Sequence, residues 1–92
     1  MSKTVETNLV ICNQKGLHAR AAAAFVKCVA ETDAEVKVEK DGQQVDGNSI
    51  LSLMMLAASK GTSIKITACG NEAQQAIDNL TVLINNRFGE EV

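Results

Sequence analysis

The segment Lys15-Gly16-Leu17-His18-Ala19-Arg20 holds the only histidine of the chain, where a glycine-bearing turn runs into helix-forming residues. Ala21 to Ala30 contains neither Gly nor Pro, so a helix begins at or beside His18. The first turn of a helix offers unpaired N–H groups and the positive end of the helix dipole, and both favour an anion. Arg20 adds a fixed charge suited to phosphate oxygens. Imidazole is largely neutral and nucleophilic at about pH 7. A phosphoryl group on His18 would therefore find its acceptor and its counter-charge in one place. The plainer alternative is that His18 only caps the helix or lies on the surface.

A second group of residues begins at Ser49. Ile50, Leu51, Leu53, Met54, Met55, Leu56, Ala57 and Ala58 leave a helix there almost no polar side. Such a helix is either buried all round or keeps a face for a partner, and methionines suit a surface that fits several partners. Ser49 in its first turn could assist capping. A phosphate at the same place would be favoured by the helix dipole and would change surface charge without unfolding the domain.

These residues need a scaffold, and the hydrophobic pattern supplies one. Val5, Thr7, Leu9 and Ile11 alternate with Glu6, Asn8 and Val10 in a first strand, and Asn13 to Gly16 form the loop to His18. A helix over about 19–31 buries Ala22, Phe25, Val26 and Val29 and is broken by Thr32-Asp33. Val36 and Val38 mark a second strand, and the Asp41-Gly42 turn leads to a third around Gln43–Val45. Asn48 is expected to cap a helix from Ser49 to about Ser59, stopped at Lys60-Gly61 with Gly61 in the left-handed cap position. Ile64, Ile66 and Ala68 mark a fourth strand. A last helix opens at Gly70-Asn71, buries Ala73, Ile77, Leu80, Leu83 and Ile84, and ends near Arg87-Phe88-Gly89, before an acidic tail, Glu90-Glu91. The order β-α-β-β-α-β-α predicts an α+β fold. Four antiparallel strands are covered on one face by three helices, as an open-faced β-sandwich.

Size and composition narrow the function. Ninety-two residues suit a single domain, 1–92, with an aliphatic core, since Phe25 and Phe88 are the only aromatics. A formal net charge of −2 with mixed signs gives no basic stripe for nucleic acid or an anionic membrane. No apolar run reaches the roughly 18 residues of a membrane span, and Met1 to Thr4 lack a leader's apolar segment. Cys12, Cys28 and Cys69 are odd in number and far apart, and with one histidine they make a metal site an unfavourable reading. They read as small buried hydrophobes in a reducing compartment. The expectation is a compact cytoplasmic protein.

Gly16-Leu17-His18-Ala19-Arg20, Asn48-Ser49-Ile50 some thirty residues on, and Lys60-Gly61 before a strand together resemble the HPr family. These are the histidine-containing phosphocarriers of the bacterial phosphoenolpyruvate-dependent phosphotransferase system, and the resemblance spans essentially the whole chain. It implies that His18 takes a phosphoryl group on Nδ1 from phospho-enzyme I and passes it to a histidine of an enzyme IIA domain. Arg20 would neutralise the phosphoryl charge. Ser49 matches the serine modified by an ATP-dependent HPr kinase/phosphorylase in bacteria that possess that enzyme. Ile50, Leu51 and Met54 match the docking patch. The family implies a monomer with no metal and no organic cofactor.

One position departs from the pattern. Ala21 stands where the family usually has proline, and the chain has no proline at all. Alanine keeps the helix and restores an N–H that proline would lack. In this it resembles HPr-type proteins of alphaproteobacteria, in which the relay often serves regulation rather than sugar uptake, with the nitrogen-related paralogue NPr as the alternative within the family. Two other classes compete. A stand-alone enzyme would need a second acid, base or metal centre near His18, and the sequence offers no such cluster. A pure interaction module would explain the apolar helix but not the Gly-x-His-x-Arg entry to a helix.

Overall fold

The computed structural model describes residues 3–92. Met1 and Ser2, which belong to the expected domain range 1–92 and to the reading of the N-terminus, lie outside the described residues. β1 (Lys3–Val10), α1 (Ala19–Ala30), β2 (Glu35–Lys40), β3 (Gln43–Asp46), α2 (Ile50–Met55), β4 (Ser63–Gly70) and α3 (Ala73–Asn85) follow in the expected order, and a 3-10 turn at Arg87–Gly89 closes the chain.

The strands form one sheet in the order β1-β4-β2-β3, with every neighbour antiparallel. Alternation fixes which face is buried. Thr7, Ile66 and Val38 align across three strands, beside the row Val5, Ala68 and Val36. The helices cover this face: α3 lies over β1 and β4, and α1 packs against both α2 and α3. α1 buries Ala21, Ala22, Phe25 and Val29; α3 buries Ala73, Ala76, Ile77, Leu80 and Ile84. Phe25 is the largest fully buried side chain, and truncating such a residue to alanine costs about 3–5 kcal/mol. The fold is the open-faced β-sandwich that the pattern predicts.

Several boundaries differ, each for a local reason. Ser49, not Asn48, caps α2: its Oγ accepts from Ser52 N–H at 3.2 Å. α2 ends at Met55 rather than near Ser59, and Ala57 turns left-handed at φ 52°. The carbonyls that would continue the helix are taken elsewhere. Lys40 Nζ donates to Leu56 O at 3.0 Å and Ala57 O at 3.3 Å, and Leu17 N–H donates to Ala58 O at 2.9 Å. Gly61 does adopt positive φ, but in the turn into β4, where its N–H donates to Ile11 O. Ile11 lies past the end of β1 yet is fully buried.

The cysteines are not the buried hydrophobes expected. Cys12 and Cys28 are half-buried and Cys69 is exposed. Ile64, Ile66 and Ala68 face the core, so the alternation turns Cys69 outward, where it receives a hydrogen bond from Thr4 Oγ1.

Candidate functional site

His18 is the N-cap of α1, in extended backbone at φ −80° and ψ −179°. Its carbonyl accepts from Ala22 N–H at 2.8 Å, and its ring Nδ1 accepts from Arg20 N–H at 3.3 Å. Capping and chemistry are therefore not alternatives here: the cap interaction is what points the Nδ1 lone pair at the helix N-terminus. The loop that delivers the ring is pinned to the segment after α2. Gly16 sits at φ +69°, and a Cβ there would lie 2.5 Å from Ala58 O, so this crossing requires glycine. Arg20 is exposed, and among the described residues its guanidinium enters no ion pair. Its charge is free for an incoming anion.

The other ring nitrogen is occupied by Glu90, the first residue of the acidic pair Glu90-Glu91. Nε2 of His18 lies 2.5 Å from Glu90 Oε2. The second oxygen, Oε1, accepts from Asn13 Nδ2 at 3.0 Å, and the same Nδ2 also donates to Gly16 O at 2.9 Å. Asn13 is fully buried, and among the described residues its Oδ1 has no partner, so the two acceptors of Nδ2 fix the orientation of the amide. Glu90 reaches the ring because Arg87, Phe88 and Gly89 all adopt positive φ, at 54°, 54° and 81°, and reverse the chain after α3. Phe88 packs against the core and anchors the reversal. An apolar residue followed by Gly just past a helix was the available signal for such a hook. Asn13 had no comparable signal. The hydrogen bond from Asn13, then that from His18, holds the Glu90 carboxyl below its usual range, with partial burial opposing.

Ser49 lies at the other end of α2 from the Ala58 crossing, and no hydrogen bond joins it to His18 among the described residues. The structure decides between the two readings of α2. Leu53 and Leu56 are buried, while Ile50, Leu51 and Met54 are exposed at 41%, 69% and 40%. Met55, beyond the expected Ile50, Leu51 and Met54, is exposed at 65% and belongs to the same patch. Among the described residues, no three His, Cys, Asp or Glu side chains are grouped to hold a metal, and no helix is long and apolar enough to cross a membrane.

A family model described as the PTS HPr component phosphorylation site matches residues 5–86, which take in His18, Arg20 and α2. The chain belongs to the HPr family. The phosphocarrier protein HPr of Cupriavidus necator is 41% identical over 94% of this chain and 97% of its own length. That of Pseudomonas aeruginosa is 45% identical over 89% and 92%. The crystal structure of HPr-C-His from Thermoanaerobacter tengcongensis matches with a TM-score of 0.91 at 40% identity, covering 96% of this chain and 99% of that one. This chain is therefore an HPr-type phosphocarrier of the phosphotransferase system.

The residue that stands where the family usually has proline, Ala21, is fully buried in the first turn of α1. Ala21 is the third residue of α1, and the helix starts at Ala19 behind the His18 side-chain cap.

Proposed function

We propose that this protein is a stoichiometric carrier in the cytoplasm. It takes a phosphoryl group from phospho-enzyme I onto Nδ1 of His18 and delivers it to a histidine of an enzyme IIA domain. The observation that supports this reading best is the orientation of the ring. Nδ1 accepts a backbone N–H and so presents a lone pair beside the helix N-terminus, while Nε2 is engaged by Glu90. In the transfer the Nδ1 lone pair attacks phosphorus, the donor N–P bond breaks, and its electron pair returns to the donor nitrogen. The reaction needs positioning and charge compensation more than covalent assistance. Arg20 and the N–H groups of the first turn of α1 supply the compensation.

The exposed face Ile50, Leu51, Met54 and Met55 serves as the docking surface for the donor and acceptor proteins. Ser49 at its edge is the regulatory position. Where an HPr kinase/phosphorylase is present, a phosphate on Ser49 adds about −1.5 to −2 charges beside this apolar face and hinders docking.

Incubation with phosphoenolpyruvate and enzyme I tests the assignment. The parent protein takes up one acid-labile phosphoryl group per His18, and His18→Ala takes up none while keeping its fold. Acid-labile phosphate on the His18→Ala protein refutes the assignment.

A further inference from the structure

The geometry points to Glu90 as a positioning residue: it keeps the ring proton of His18 on Nε2 and so leaves the Nδ1 lone pair free, with Asn13 fixing which Glu90 oxygen does so. Three observations lead there. Nδ1 accepts a hydrogen bond from Arg20 N–H, so it carries no proton in this arrangement. A carboxylate can only accept, so the short contact from Nε2 to Oε2 places the proton on Nε2. Oε1 is already committed to Asn13, whose amide cannot turn over because Nδ2 also serves Gly16 O. The arrangement is a carboxylate–imidazole pair of the kind that selects a tautomer, held by a buried asparagine.

This rests on the reading of His18 as the phosphoryl acceptor, and it explains how the ring can cycle without losing or gaining a proton. When the Nδ1 lone pair forms the bond to phosphorus and the donor N–P bond breaks, the ring becomes a phosphoimidazolium with Nε2–H still in place. Glu90 then faces a full positive charge, and the bond between them strengthens. On delivery the N–P electron pair returns to Nδ1, and the ring is again neutral with its proton on Nε2. Glu90 thus acts on the charged product more than on the resting ring, which is the condition for raising transfer and not merely structure.

Glu90→Gln gives this scheme an unusual signature. The glutamine carbonyl turns to Asn13 Nδ2, the one donor bonded to Oε1 among the described residues, so its NH2 faces Nε2. Nε2 then faces a donor and accepts, and the proton moves to Nδ1, displacing the 3.3 Å bond from Arg20 N–H and blocking attack. Glu90→Ala removes the constraint without imposing the wrong tautomer. A merely structural role predicts the opposite order, because glutamine preserves size and packing. Two measurements on the full chain test this. The first is a long-range 1H–15N correlation of His18 in unphosphorylated protein at about pH 8.5, where an ordinary imidazole is neutral. It should show Nε2–H in the parent and Nδ1–H in Glu90→Gln. The second is the rate of phosphoryl uptake from phospho-enzyme I. It should fall about tenfold in Glu90→Ala, as for loss of a charge-assisted hydrogen bond, and about 100-fold in Glu90→Gln, in the direction known for a wrong tautomer. Nε2–H persisting in Glu90→Gln, or Glu90→Gln transferring as fast as Glu90→Ala, overturns the proposal. The tautomer measurement involves no phosphoryl transfer, so its failure is distinct from a failure of the acceptor assignment, which the His18→Ala experiment reads.

Discussion

Gly16→Ala offers a quantitative test of how the histidine loop is held. Two costs fall on this position. An alanine at φ +69° occupies the left-handed region, a cost of about 1–2 kcal/mol. Its Cβ would also lie 2.5 Å from Ala58 O and 2.9 Å from Ser59 Cα, both backbone atoms that cannot swing aside. Relieving the clash separates the loop from the post-α2 segment and breaks the 2.9 Å bond from Leu17 N–H to Ala58 O. A buried hydrogen bond lost in this way costs about 1–3 kcal/mol. Gly42→Ala is the control, because Gly42 has φ +82° with nothing within 4 Å of the added Cβ, so only the backbone cost applies. Urea denaturation should therefore place Gly16→Ala about 3 kcal/mol below the parent and Gly42→Ala about 1 kcal/mol below it. In a domain of this size the difference between them corresponds to about 8–16 °C in Tm. Equal stabilities for the two variants would refute the close crossing. Phosphoryl uptake should fall in Gly16→Ala beyond any loss of folded protein, because the loop carries His18, and should be unchanged in Gly42→Ala.

Arg20→Ala should slow phosphoryl uptake about tenfold or more with stability within about 0.5 kcal/mol of the parent, since its charge meets a partner only when phosphate is present; stopped transfer assays and thermal melts read both. Ser49→Asp should accept phosphate from enzyme I more slowly than Ser49→Ala while melting close to the parent, because an acidic residue at a helix start is tolerated by the dipole; equal rates for both variants and for phospho-Ser49 protein reduce Ser49 to a cap. The carboxyl 13C titration of Glu90 should have its midpoint below the ordinary glutamate value of 4.5. A folded-state value below the unfolded one means that its contribution to stability is fully present above the unfolded value and is lost as pH falls through the folded one. A midpoint at or above 4.5 contradicts the hydrogen bonds assigned to it.

What the sequence disclosed follows from the range of the forces involved. Strand alternation and the stripe of α1 are local periodicities that burial then selects, so the element order and the buried residues Phe25, Val38, Ile66 and Leu80 could be read directly. His18 at a helix start was legible for the same reason, from a glycine turn and a run of helix formers. The end of α2 was not, because it is set by Lys40 and Leu17, residues far off in sequence that take its last carbonyls. Asn48 and Ser49 are both good caps, and propensity alone does not choose between neighbours. Glu90 was the largest omission. Nothing in an acidic residue near a chain end announces a partner 72 positions away; three consecutive left-handed residues create that contact, and two of them are not glycine.

The hook at Arg87–Gly89 also imposes an order in time. His18 is synthesised 72 residues ahead of Glu90, which at about 5–20 residues per second is an interval of about 4–14 s. For the first part of that interval, until Ser63–Gly70 is made, β1 also lacks β4, its single neighbour in the sheet. Until the hook forms, the chain displays a histidine without the carboxylate that engages its Nε2.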